Sequence, residues 1–242
     1  MEERAKKLIL IGGGPGDPEL ITLKAWKILQ NAKVILYDNL ANKALLEFSP
    51  ANSEKIYVGK QPYGEYTPQE TIHSLILEKA IQYGEVIRLK GGDPYIFGRG
   101  FEEVQFARLN GIQTQFIPGI TSMQASGLLD IPLTHRNISE SIWAINGTKK
   151  DGSLSRDLEL AMQSNATVVI YMGMKKLEEI SNTYKNKGQG DQSAIIIQHA
   201  SLAHQKYGKG KVKNLIQIAE ESHLNHPALI IIGKTVDFLN LP

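Results

Sequence analysis

Short apolar runs alternate along this chain with segments whose apolar residues recur every three or four positions. Leu8–Ile11, Val34–Tyr37, Lys55–Val58, Val86–Lys90 and Gln113–Phe116 predict five strands in the first half. Ser141–Ile145, Thr167–Tyr171, Ala194–Ile197 and Leu229–Ile232 predict four more in the second. Their apolar positions are nearly continuous, as in strands covered on both faces. Between strands, Ile72, Leu75, Ile76 and Ala80 recur at helical spacing. Thr67-Pro68-Gln69-Glu70 predicts that helix's start, with Thr67 as N-cap and Glu70 closing a capping box. A further helix from about Phe101 should stop at Asn110-Gly111, because glycine readily takes the left-handed cap. Strand and helix in alternation predict a wound α/β sheet.

Pro118 to His135 is rich in Gly, Ser, Thr and Pro and is the candidate hinge. The expected division is an N-terminal α/β domain over 1–118, a hinge segment over 119–135 and a C-terminal α/β domain over 136–242.

Composition narrows the field. The 27 basic and 25 acidic residues nearly cancel, which argues against bulk nucleic-acid binding. With no cysteine, a disulfide framework and thiolate-ligated metal sites are excluded. The first apolar run, Leu8 to Ile11, is too short for a secretory signal, and none approaches the ~20 residues of a membrane span. The expectation is a soluble, cytoplasmic protein.

Two glycine turns follow predicted strands. In Gly12-Gly13-Gly14-Pro15-Gly16-Asp17-Pro18 the dinucleotide fingerprint lacks its third glycine, where Asp17 stands, and the P-loop Gly-Lys-Ser/Thr is missing. Asp17 would also repel a pyrophosphate, so the turn is either a bare tight turn or a site for some other ligand. In Lys90-Gly91-Gly92-Asp93-Pro94, Asp93 offers a carboxylate to a ribose hydroxyl or an ammonium group, or merely initiates the next helix.

Several segments together resemble the uroporphyrinogen-III C-methyltransferases, within the tetrapyrrole methylase family. The most specific stretch is Val86-Ile87-Arg88-Leu89-Lys90-Gly91-Gly92-Asp93-Pro94-Tyr95-Ile96-Phe97-Gly98-Arg99-Gly100. Others are the first glycine turn with Leu20-x-Thr22-Leu23-Lys24, Tyr37-Asp38-x-Leu40 and Tyr57-Val58-Gly59-Lys60. Later come Ile117-Pro118-Gly119-Ile120-Thr121-Ser122, Ile131-Pro132-Leu133-Thr134-His135-Arg136, Tyr171-Met172-Gly173 and Pro227-Ala228-Leu229-Ile230. Asn146-Gly147-Thr148 departs from that family's Thr-Gly-His, and Gln198-His199-Ala200-Ser201 lacks the Glu that often precedes the small residue.

The resemblance implies the tetrapyrrole-methylase fold, two α/β domains with the active site in the cleft between them, and a homodimer. It implies S-adenosylmethionine as methyl donor, S-adenosylhomocysteine as product, and two methyl transfers to uroporphyrinogen III giving precorrin-2. The cofactor site would include Pro15, Gly91, Gly92, Asp93, Ile96, Thr121, Ser122, Met172 and Ala200. Asp38 matches the family's proton acceptor and Lys60 its proton donor; read from the residues alone, Asp38 is a helix N-cap or turn residue or else a site residue, and Lys60 a solvated surface charge or else a site residue. The substrate's eight carboxylates require cations, for which Arg99 and Arg136 lie inside matched motifs; Arg88, Lys90 and Lys60 are further candidates.

Other features carry less. His199 and His204, and His223 and His226, lack supporting ligands, so no metal is expected. Lys206 to Lys213 reads as a solvated hairpin rather than a nucleic-acid patch. The competing readings are a methylase of a later precorrin, an rRNA methyltransferase of the same fold, and a non-catalytic tetrapyrrole binder. Because the sequence starts at the methylase's first strand, methylation without a dehydrogenase or chelatase module is expected.

Overall fold

The computed structural model describes residues 6–59 and 67–239. It divides into two compact units, Met1–Ser122 and Met123–Pro242.

The first unit is built on a parallel sheet of β1 (Lys7–Gly12), β2 (Val34–Tyr37), β3 (Glu54–Tyr57), β4 (Glu85–Lys90) and β5 (Gln113–Ile117), in the order β3-β2-β4-β1-β5. The predicted apolar runs fall on these strands. Alternation sorts their side chains between two layers. Ile9, Ile11, Ile35, Ile87 and Leu89 pack with Ala25 and Leu29 of α1 (Leu23–Leu29) and with Leu45 and Leu46 of a 3₁₀ segment. On the other face, Leu8, Val34, Leu36 and Val86 meet Ile72, Ile76 and Ala80 of α2 (Gln69–Tyr83) and Ala107 of α3 (Gly100–Leu109). β1 and β4 are neighbours, yet the helices after them, α1 and α3, lie on opposite faces. That reversal marks a switch point, and in open α/β sheets ligands bind beyond the carboxyl ends of the strands at such a point.

One predicted helix start is corrected. Helix α2 begins at Gln69 with Pro68 at the cap position and no side-chain cap bond. Thr67 instead donates its hydroxyl to the Gly59 carbonyl, 2.9 Å away, tying the helix entry to the chain after β3. Helix α3 ends as expected, with Asn110 as C-cap and Gly111 at φ +68°.

The second unit differs from the wound sheet that strand–helix alternation predicts. Its strands are β6 (Ile142–Asn146), β7 (Thr167–Tyr171), β8 (Ser193–Gln198), β9 (Lys206–Lys211) and β10 (Ala228–Ile232). Their order is β6-β7-β10-β8-β9, parallel only between β6 and β7. Helices α4 (Asp157–Ala161), α5 (Leu177–Asn186) and α6 (Leu215–Glu221) share a single core with one face, through Leu158, Ile180, Tyr184 and Leu215 against Val168, Ile170, Ile196 and Ile230. The opposite face, with Val169, Ile195 and Ile231, packs against Ala125 and Ile131 from the glycine- and serine-rich segment.

Strand β9 lies where a solvated hairpin was expected. It pairs antiparallel with β8 and alternates lysine with glycine. A Cβ at Gly208 would stand 2.5 Å from Ser222 Oγ, and one at Gly210 2.7 Å from Ile218 Cδ1, so α6 rests directly on backbone there. Lysines along such an edge discourage pairing with another chain.

Candidate functional site

In a parallel sheet every strand delivers its carboxyl end to the same edge. In the first unit, that edge gathers the turns after β1, β4 and β5 into one backbone junction. Gly92 N donates to Gly14 O at 2.7 Å, and Gly14 N to Gly92 O at 3.3 Å. Gly119 packs so closely that a Cβ on it would lie 2.3 Å from Gly92 O, and one on Gly12 2.5 Å from Gly119 N. Only glycine permits that approach. Asp93 closes the junction, its Oδ1 accepting from Tyr95 N at 2.8 Å and its Oδ2 from Gly119 N at 3.2 Å.

These contacts bring Pro15, Gly91, Gly92, Asp93, Thr121 and Ser122 to one place. Gly92 has φ +63°, and among the described residues, its chain neighbours aside, the only heavy atom within 4 Å of an added Cβ is Ser122 N, at 3.8 Å. A side chain would fill that hollow. Glycine leaves it open beside a carboxylate that keeps acceptor capacity, which suits a ligand bearing hydroxyl or ammonium donors. Ile96 is exposed one turn further on, its amide bonded to Asp93 O at 3.1 Å. The residues fit an adenosyl amino-acid cofactor on chemical grounds.

Asp38 follows β2 and is half-buried. Its Oδ1 accepts from Leu40 N at 3.1 Å, so of the helix cap and the turn that the residues left open it makes the turn. Its Oδ2 also accepts from Arg88 Nη2 at 2.9 Å. The Leu40 carbonyl lies 2.3 Å from where a Cβ on Gly91 would stand, so the Asp38 turn packs on the glycine junction. Burial, followed by the Asp38 charge, pushes the neighbouring Tyr57 phenol up. The expected proton donor, Lys60, lies outside the described residues.

The structure corrects two candidate substrate cations. Arg88 and Lys90 lie on alternate residues of β4 and so point to the same face, under α3. Arg88 is 2% exposed and Lys90 8%. Both meet Glu103 of α3, which is fully buried: Arg88 Nε lies 3.2 Å from Glu103 Oε2, and Lys90 Nζ 3.3 Å from Oε1. Arg88 Nη1 also donates to Leu89 O at 2.8 Å. Desolvation, then the Arg88 charge, pulls the Lys90 ammonium below the usual lysine range; Glu103 and Asp38 act against that shift. These cations neutralise buried carboxylates and are not presented to solvent. Glu103 had no place in the sequence reading, although its helical phase with Val104 and Ala107 carries the signal for an inward carboxylate.

Arg99 is exposed and grips Glu102 with both Nε and Nη2, at 2.8 and 2.6 Å. Such a pair contributes at most about 1 kcal/mol. Arg136 is exposed in the second unit, its carbonyl contacted by His135 Nδ1 at 2.8 Å.

The second unit has a corresponding edge. β7 and β8 both run antiparallel to β10 and β6 runs with β7, so the loops after β6, β7 and β8 leave together. They carry Gly147, Met172 and Ala200. Gly147 N donates to Tyr171 O at 2.7 Å, and Thr148 Oγ1 to Met172 O at 2.9 Å. Met172 is half exposed with φ +54°, and the buried Ala200 sits between His199 and Ser201, both also at positive φ. Thr148, which departs from the Thr-Gly-His pattern, thus braces the Met172 turn.

Comparison with known proteins identifies the family. Residues 7–216 match the model of the Tetrapyrrole (Corrin/Porphyrin) Methylases. A solved uroporphyrin-III C-methyl transferase from Thermus thermophilus, complexed with S-adenyl homocysteine, is 36% identical with a TM-score of 0.82. That match covers 96% of this chain and 99% of the other. A cobalt precorrin-4 methyltransferase, 24% identical, shares the fold with a TM-score of 0.85 over 96% of each chain. Siroheme synthases of Methylobacillus flagellatus and Pseudomonas paraeruginosa are 40% and 39% identical over 95% of this chain. The chain spans about half the length of these curated relatives, 50% in both cases.

Proposed function

Because the chain belongs to the tetrapyrrole (corrin/porphyrin) methylase family, we propose that it methylates uroporphyrinogen III twice at ring carbons, giving precorrin-2. The observation that carries this reading is the similarity to the Thermus thermophilus transferase along nearly the whole of that protein. S-adenosylmethionine, when bound, supplies a methyl group already activated on a sulfonium. The protein's task is then alignment and proton management.

Gly91, Gly92, Asp93, Thr121 and Ser122 hold the cofactor, with Pro15 and Ile96 beside them; Met172 and Ala200 are cofactor residues by the family resemblance. Asp93 accepts hydrogen bonds from the cofactor's donors. Asp38 accepts the proton lost from a methylated ring carbon, and Lys60 returns one. Asp38 Oδ2 is held by Arg88, and a carboxylate retains lone pairs for an incoming proton beyond those two bonds. Arg99 and Arg136 receive substrate carboxylates. For Arg99 this exchanges an exposed partner, Glu102, for another carboxylate. The reading extends to a homodimer working in the cytoplasm, as the family resemblance implies.

The test is an anaerobic assay with enzymatically generated uroporphyrinogen III and methyl-labelled S-adenosylmethionine, followed by mass and absorbance. Two added methyl groups are expected. Transfer to a later precorrin or to ribosomal RNA, with none to uroporphyrinogen III, overturns the substrate assignment.

A further inference from the structure

The sheet parity that places Arg88 and Lys90 under α3 also places Asp38 at the open end of the same layer. Four ionisable side chains result, two of each sign, linked in a closed set. Arg88 bridges Asp38 and Glu103 through separate nitrogens, Nη2 at 2.9 Å and Nε at 3.2 Å. Lys90 bridges the same two carboxylates, at 3.9 and 3.3 Å. Glu103, at 0% exposure, sits at the inner end, and Asp38, whose side chain is 17% exposed, at the outer.

We propose that Glu103 is a positioning residue for Asp38: it anchors Arg88 and Lys90 from behind, and so fixes where Asp38 sits and how strongly it accepts a proton. The inference rests on the functional reading for Asp38's chemical task, but its electrostatic content stands on the geometry. Without Glu103, two cations would face Asp38 alone. Their full charge would stabilise its ionised form and weaken it as a base, since neighbouring opposite charges favour ionisation. With Glu103, one cationic charge is answered from inside, and Asp38 feels roughly one net positive charge. Among the described residues, Tyr57 of β3 faces this corner beside Tyr37, its phenol pushed up by burial and then by the Asp38 charge; on the α3 side Arg99 feels the Glu103 charge and Glu102 that of Lys90.

The position of Glu103 excludes a direct catalytic role. It lies behind two side chains and has no exposed surface. It is also distinct from Glu102, which points outward to Arg99.

The experiment titrates the Asp38 carboxyl carbon by NMR in the full chain, with methyl-transfer rates measured in parallel. In Glu103→Gln the Asp38 midpoint is expected to fall by about one unit, about tenfold in proton affinity. The acid limb of the kcat profile should move down with it and kcat should drop several-fold, while S-adenosylhomocysteine affinity holds. Glu103→Asp, which keeps the charge, should restore most of the midpoint. Because Glu103→Gln leaves buried cations short of a partner and can impair folding, the same exchange is repeated in a Lys90→Met background, where one Arg–Asp pair remains. The fall should recur there. An Asp38 midpoint unmoved by Glu103→Gln in either background overturns the inference, even if the variant is slower. If the unaltered protein transfers no methyl to uroporphyrinogen III, the functional reading fails; the titration needs neither cofactor nor substrate and still decides the charge balance.

Discussion

The two units reach a similar size with the same kinds of residue, yet their sheets do different work. In the first, five parallel strands deliver every carboxyl end to one edge, and helices on both faces seal the sheet. Glycine turns, the Asp93 carboxylate and the Asp38 carboxylate consequently meet within a few residues of three neighbouring strands. In the second, β9 and β10 run against the other three, so only the loops after β6, β7 and β8 share an edge. What they bring is backbone and small or apolar side chains: Gly147, Met172, Ala200. The difference teaches that chain direction, more than composition, decides which unit can concentrate charged chemistry.

That division can be broken by substitution. Asp38→Ala should have the largest effect, lowering turnover by about a hundredfold or more with cofactor affinity, read by calorimetry, largely kept. Unchanged kinetics would remove the chemistry from the first unit. Asp93→Ala comes next, with cofactor binding weakened about tenfold, or about 1.4 kcal/mol. An unchanged dissociation constant would leave Asp93 with only its bonds to Tyr95 and Gly119. Thr148→Val, which deletes the hydroxyl bracing Met172, should be the smallest, about 1 kcal/mol in cofactor binding. A loss of turnover rivalling Asp38→Ala would show that the second unit takes part in chemistry.

Much of this was legible in the residues, for reasons that can be named. Runs such as Leu8–Ile11 and Thr167–Tyr171 are apolar on both faces and declare themselves as buried strands. Strand β9 did not, because its Lys-Tyr-Gly-Lys-Gly-Lys sequence has little intrinsic preference for a sheet. It is held by its pairing with β8 and by α6 resting on its glycines. The Thr67 capping box matched a motif, but the hydroxyl found a distant carbonyl, which local sequence cannot reveal. Direction in the second sheet was equally hidden, since periodicity reports which face a residue takes and not which way its strand runs. Arg88 and Lys90 looked like cations awaiting a ligand. Recognising Glu103 as their partner required both the parity of β4 and the phase of α3, information held in two segments at once.

The junction of Gly12, Gly92 and Gly119 has a consequence for selectivity. A floor made of main chain has no rotamers, so it presents the same relief to whatever rests on it and cannot be retuned by exchanging side chains. Discrimination between similar ligands must then be written on the side chains around it, among them Leu40, packed on Gly91, and Ile96, bonded through its amide to Asp93, both exposed. Relatives with the same floor and different side chains around it can therefore diverge in what they accept without disturbing the strand ends that hold the site together.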